Sequence, residues 1–177
     1  KSGFIVVTPD DFEGRKPNAD ELKSLALKHK ADMIVVDQLS LMSDKRRADT
    51  PRIAYNNISE DLFLVSKELK KPILLMAQAN REAVKNRKKG ESPELHDLAE
   101  SDGVGQNATR VLSLSVIDGT LKISIKKNRY GMNNKEVLMI WDINTGYLEP
   151  LVKKEDSTEE PKAEGTEKDG GVKDYGF

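Results

Sequence analysis

The sequence predicts an α/β protein in which a parallel sheet is extended by an antiparallel meander toward the C terminus. Two patterns predict this. Short β-branched runs alternate with longer runs of helical periodicity up to about residue 78, an order that requires crossover connections and parallel strands. Beyond about residue 107, three apolar runs follow at hairpin spacing. At 177 residues and 19.8 kDa the chain fits one domain, or one domain with a tail. About 70% of the extended chain's surface can be buried at this length, enough for a sizeable core.

The elements follow in order. Phe4 to Thr8 (FIVVT) is a β-branched strand candidate, ended by Pro9 and two aspartates. Asn18 stands three residues before Glu21, the spacing of a helix N-cap box. Leu22, Leu25 and Leu27 then predict an amphipathic helix to about Lys30. Met33 to Val36 is a buried strand candidate ending in Asp37. Ile58, Leu62, Val65 and Leu69 recur at helical spacing, so a second helix is expected from about Arg52 to Lys70, stopped by Lys71-Pro72. Ile73 to Ala77 is a third buried strand candidate and ends at Gln78. A polar stretch to residue 107 precedes strands at Arg110–Ile117, Thr120–Lys126 and Glu136–Ile143. Asp118-Gly119 is a tight hairpin signal, and Asn144-Thr145-Gly146 a second turn.

From about Leu151 the composition shifts to Glu, Lys, Gly, Ser and Thr, and a disordered acidic tail is expected over 151–177. The tail carries five lysines against eight acids, whereas residues 1–150 carry 24 basic and 22 acidic residues. The overall net charge of −1 thus combines a slightly basic body with an acidic tail, and excludes a uniformly basic coat but not a basic patch. No cysteine is present, which excludes disulfide scaffolds, thiol nucleophiles and cysteine-bearing zinc sites. Two histidines, His29 and His96, leave little for a histidine-rich metal centre. No apolar run approaches the ~20 residues of a membrane span. The start at Lys1, almost on a strand, is what a fragment would show.

Several residues could carry chemistry. Asp37 places a carboxylate at the carboxyl edge of a parallel sheet, where α/β folds bind ligands, and could hold the water shell of a Mg²⁺ on nucleotide phosphates. Gln78 ends the next strand with an amide that both donates and accepts. Lys127 and Arg129 are spaced i, i+2 on extended chain, project to one side and could clamp a phosphate together, with Gly131 permitting the turn that presents them. Arg81, Lys85, Arg87 and Lys88 form a basic loop suited to phosphate contacts. No aromatic residue interrupts that loop, so base stacking there is not expected. His29 suits a helix C-terminus, His96 a turn, and Trp141 the core. Taken singly, each of these residues also has a purely structural explanation.

In order, IVVDQLSLM, ISEDLFLVSKELKKPILLMAQANR, LHDLAESDGVGQNATRVL and KNRYG resemble the C-terminal motor domain of DnaB-type replicative helicases. The closing IWDINTGYLEP is similar to the phage representatives. The resemblance spans about residues 4–149 and implies a RecA-like three-layer core over 1–150. It further implies an ATP- and Mg²⁺-dependent helicase that encircles single-stranded DNA as a ring, usually a hexamer, in the cytoplasm of a bacterial or phage-infected cell. Under it, Asp37 corresponds to the Walker B aspartate and the metal contact. Gln78 corresponds to the residue linking the γ-phosphate to the DNA loops. Lys127 and Arg129 correspond to the lysine and arginine finger that enter the neighbouring subunit's nucleotide site. The loop from Asp97 to Gly105, with Glu100 and Gly103, corresponds to the segment that contacts DNA phosphates.

The sequence departs from the family in places. The family's DLRESG reads Asp97-Leu98-Ala99-Glu100-Ser101-Asp102, which removes an arginine and a glycine. Gln38 and Ser40 stand where tyrosine and glutamine are usual. No G-x-x-x-x-G-K-[ST] occurs, so the phosphate loop and catalytic glutamate are expected upstream of Lys1, and the 177-residue chain by itself is expected to be inactive. The alternative is a non-catalytic RecA-like module that binds DNA or a replisome partner. The terminal Asp174-Tyr175-Gly176-Phe177 places aromatics on an acidic tail that could dock a polymerase or primase, or serve only to solubilise.

Overall fold

The computed structural model describes residues 3–79, 93, 102–117 and 119–151. The basic loop from Arg81 to Lys89, His96, the segment from Asp97 to Ser101 with Glu100, and the chain after Leu151 lie outside the described residues.

Helix α1 spans Ala19–His29. Asn18 caps it, its Oδ1 accepting the amides of Asp20 (2.9 Å) and Glu21 (3.1 Å), while Glu21 Oε2 accepts the Asn18 amide (2.9 Å). Arg15 Nη2 lies 2.6 Å from the other oxygen of Glu21. Three amide donors at the helix start are thereby satisfied. The buried positions of α1 are Ala19 and Ala26, with Leu22 packed beside the core; Leu27, expected on the apolar face, is exposed.

Strand β1 is Ile34–Val36 and β2 is Ile73–Leu75; they pair in parallel with Val36 opposite Leu75. Helix α2, Pro51–Leu69, crosses between them. Thr50 caps it through the Ile53 amide, Pro51 supplies a pre-set φ in the first turn, and Lys70 closes it in the left-handed region at φ 52°. Ile58, Leu62 and Val65, spaced by one helical turn, are buried against Val36, Leu39 and Met42, with Ile34, Ile73 and Leu75 packed at the margin. Arg46 fastens the connection from β1 to α2, pairing with the buried Asp61 and with Glu60 at 2.8 Å.

A short helix, α3 (Asp102–Asn107), packs on α2 and buries Val104 in the same cluster. The meander follows as β3 (Arg110–Ile117), β4 (Thr120–Asn128), β5 (Glu136–Asp142) and β6 (Tyr147–Pro150), paired in sequence order. Gly119, at φ 78°, makes the tight turn between β3 and β4. The YLEP run, read from sequence only as a closing segment, is strand β6.

Some expectations differ from this structure. Phe4 to Thr8 forms no strand; Phe4 is 87% exposed. A strand must pair its backbone donors and acceptors with a neighbour, and none is described beside this run. The Thr8 amide instead bonds Asp11 Oδ2 at 2.7 Å, opening a 3-10 turn at Pro9–Phe12. The parallel strands, expected to be buried on both faces, are covered by helices on one; Val35 (47%) and Leu74 (44%) are exposed on the other. Among the described residues the parallel pair and the meander form separate hydrogen-bonded sheets. Trp141 is half-buried on β5.

The packing and the cap can both be tested by denaturation. Replacing Leu62 with Ala removes buried methyl groups and should cost about 3 kcal/mol. Replacing the exposed Leu64 should change stability by less than about 0.5 kcal/mol. Urea unfolding of the two variants compares these directly. The Arg15 guanidinium, then the Asn18 amide, hold the Glu21 carboxyl below its ordinary value of 4.5. The unfolded carboxyl binds its proton first as pH falls, so this contribution is complete above about pH 4.5 and is lost below it. Glu21→Gln should therefore lower the urea midpoint at pH 7, and the gap to the parent should narrow as pH approaches 3.

Candidate functional site

Two groups of candidate residues emerge, carried by different elements of the fold. The first is the carboxyl edge of the parallel pair. Hydrogen bonds from Met76 N to Val36 O (3.0 Å) and from Leu39 N to Met76 O (2.8 Å) carry the two chains side by side past the strand ends. Asp37 follows β1 directly, and Gln78 lies three residues beyond β2, on the same edge. Both side chains are exposed, and among the described residues neither is engaged in a hydrogen bond or ion pair. The Asp37–Gln38 peptide is cis.

This edge can be tested for its fit to Mg²⁺ and a nucleotide. Among the described residues there is no cluster of three or more acidic, histidine or cysteine side chains that could hold a metal. A single free carboxylate on a strand edge does not make an all-protein cage. It does suit Mg²⁺, which keeps several waters and binds through one or two carboxylates together with substrate phosphates. The residues present therefore fit a cation that arrives with a phosphate group.

The second group is the cation pair at the far end of β4. Lys127 Nζ donates to the carbonyls of Gly105 and Gln106, both at 2.8 Å, and Arg129 Nη2 donates to Gln106 O at 2.9 Å. The expectation that these side chains project to one side is met, and what they grip is the last turn of α3. Carbonyls there lack intrahelical donors and carry the negative end of the helix dipole. Partial burial, then the nearby Arg129 charge, hold the Lys127 ammonium below the ordinary lysine value. Among the described residues, no hydrogen bond or ion pair joins Lys127 or Arg129 to Asp37 or Gln78.

The chain turns at Arg129 to Gly131, as expected from the glycine. Its φ is not left-handed; the left-handed residue of this connection is Asn134, at φ 57°. A Cβ on Gly131 would come 2.7 Å from Asn128 Nδ2, so a larger residue there would require the Asn128 amide to shift. Gly103, expected in a DNA-contacting segment, lies in α3, where a Cβ would come 2.2 Å from Asn56 Oδ1 on α2. The polar bond between the helices runs from Asn107 Nδ2 to Ser59 Oγ at 2.8 Å. Arg81, Lys85, Arg87, Lys88 and Glu100 fall outside the described residues. The carbonyl acceptors of α3, and the partners Ser59 and Asn107, were not foreseen. Every residue carries a backbone carbonyl, so no residue type announces such a site; the polar run DGVGQN before β3 was the available signal.

The sequence model of the DnaB-like helicase C terminal domain family matches residues 16–146. The chain belongs to this family. It is 35% identical over 95 residues to the replicative DNA helicase DnaB of Mycobacterium intracellulare, covering 52% of this chain and 16% of that protein. It is 33% identical over 92 residues to the DnaB of Mycobacterium leprae (strain TN), covering 52% and 15%. The chain thus spans less than a fifth of these relatives. Two solved structures share the fold at 22% identity and a TM-score of 0.66, each covering 75% of this chain. One is an ATPase domain, of which 51% is covered. The other is a DnaB-like replicative helicase studied with its primase interactions, of which 35% is covered. The α/β architecture expected from the sequence is that of these helicase domains.

The packing of α3 on α2 carries its own prediction. Gly103→Ala should destabilise the protein by about 1–3 kcal/mol through overpacking against Asn56. In a double-mutant cycle, Asn56→Ala should recover part of that loss. Strictly additive costs would show that the two positions are not in contact.

Proposed function

We propose that this chain is the C-terminal part of an ATP-dependent replicative DNA helicase that works as a ring on single-stranded DNA, with ATP hydrolysed between subunits. The observation that carries this is the match of residues 16–146 to the DnaB-like helicase C terminal domain family, with which the two candidate groups are compatible. A free carboxylate and amide stand on one edge, while a paired lysine and arginine are held on α3 with no bond to that edge. Such an arrangement suits a site completed by a neighbouring copy of the chain.

In this site ATP with Mg²⁺ supplies the transferable γ-phosphoryl group and the cation that neutralises its charge. Asp37 would hold that cation, which keeps several waters of its own. Gln78 orients a polar group at the same edge and carries its state toward the DNA-contacting loops. Lys127 and Arg129 of the adjacent subunit stabilise charge developing on the phosphoryl oxygens, Arg129 as a planar fork and Lys127 as a point charge. Arg81, Lys85, Arg87, Lys88, Glu100 and Gly103 are assigned to the DNA backbone. The remaining partners proposed are further copies of the chain, in a six-membered ring, and a polymerase or primase at the acidic tail. The chain contains no G-x-x-x-x-G-K-[ST] phosphate loop, so the 177-residue chain alone should show no ATPase above background. Among the described residues no helix is long and apolar enough to cross a membrane.

In the full-length protein, Arg129→Ala should lower DNA-stimulated ATP hydrolysis by a factor on the order of 10³ while rings still assemble. Mixing it with Asp37→Asn subunits should restore part of the rate, because some interfaces then combine an intact Asp37 with an intact Arg129. If no mixing ratio recovers activity, the assignment between subunits fails.

A further inference from the structure

The cation pair is only as well placed as the helix that holds it. Helix α3 has six residues, too few to be stable on its own backbone hydrogen bonds. Its position must come from outside contacts. Val104 supplies an apolar anchor near its start, and Gly103 packs closely against Asn56 of α2 beside it. The polar anchor is at the other end. Asn107, the last residue of α3, donates through Nδ2 to Ser59 Oγ (2.8 Å), and that hydroxyl in turn donates to the Asn56 carbonyl (2.9 Å) on α2. Ser59 is 5% exposed, so its hydroxyl depends on these protein partners. Asn107 is adjacent to Gln106, whose carbonyl accepts from both Lys127 and Arg129.

We propose that Asn107 and Ser59 are positioning residues for the cation pair, acting through the carbonyls of α3; this rests on the assignment of Lys127 and Arg129 to the neighbouring subunit's ATP site. The donor arithmetic agrees. Lys127 has three donors and gives two to α3; Arg129 has five and gives one. Each cation is aimed by α3 and keeps donors for a phosphate oxygen. A chain of contacts therefore runs from the buried face of α2, through Ser59 and Asn107, to the two side chains that leave the subunit.

The test uses full-length Asn107→Ala and Ser59→Ala, assayed with DNA beside Arg129→Ala. The expected result is a fall in kcat for ATP hydrolysis of about tenfold to a hundredfold, the scale of a misplaced catalytic group. KM for ATP and ring assembly should stay within about twofold of the parent, a split that general loss of structure would not produce. Mixing either variant with Asp37→Asn subunits should restore rate, because what each variant spoils is the part it lends its neighbour. Full kcat in both variants, with Arg129→Ala inactive and rescued by mixing, overturns the positioning role and leaves the finger assignment standing. A loss that mixing does not restore also overturns it, by showing damage within the subunit's own site. An active Arg129→Ala removes the assignment on which the proposal stands.

Discussion

A helix end leaves carbonyls without intrahelical donors, and here two cations from a distant strand fill that need. The bonds from Lys127 and Arg129 to Gly105 and Gln106 join the β3–β6 meander to the layer built from α2 and the parallel strands. The Arg129 amide adds a bond to Thr109 O at 3.1 Å beside them. Without this joint, two like charges at the end of β4 would repel each other with no compensating dipole. With it, the pair is fixed relative to α2, and α2 is fixed relative to the strand that ends in Asp37. The spatial relation between the two candidate groups therefore depends on six residues of helix.

Much of the first layer was legible from residue types alone. Asn18 and Glu21 announced the start of α1, and the spacing of Ile58, Leu62 and Val65 announced the buried face of α2. These signals are local: a cap or a helical stripe is set by residues within a turn or two of each other. Signals that require a distant partner fared worse. FIVVT has the composition of a strand but no described neighbour to pair with, and strand propensity counts for little without one. Leu27 matched the apolar count of α1, whereas the small Ala26 occupies the position turned to the core. A turn does occur at Gly131, but the left-handed residue of that connection is Asn134, which the glycine alone does not reveal.

The candidate site divides the same way. Asp37 and Gln78 could be placed on one edge because parallel strand order puts both strand ends there. That Lys127 and Arg129 would share a side followed from period-two geometry. What they would touch did not follow, because the acceptors are backbone atoms and because Asn107 and Ser59 are 48 residues apart in the chain. The family resemblance named the cation pair; the fold shows what that pair is bonded to within its own subunit.

The most direct measurement is the structure of the full-length ring with a non-hydrolysable ATP analogue, Mg²⁺ and single-stranded DNA. The account predicts the Arg129 guanidinium about 3 Å from a γ-phosphate oxygen held at the Asp37 edge of the adjacent subunit, with Lys127 still bonded to the α3 carbonyls. Arg129 directed at the nucleotide of its own subunit, or remote from every nucleotide, would contradict it.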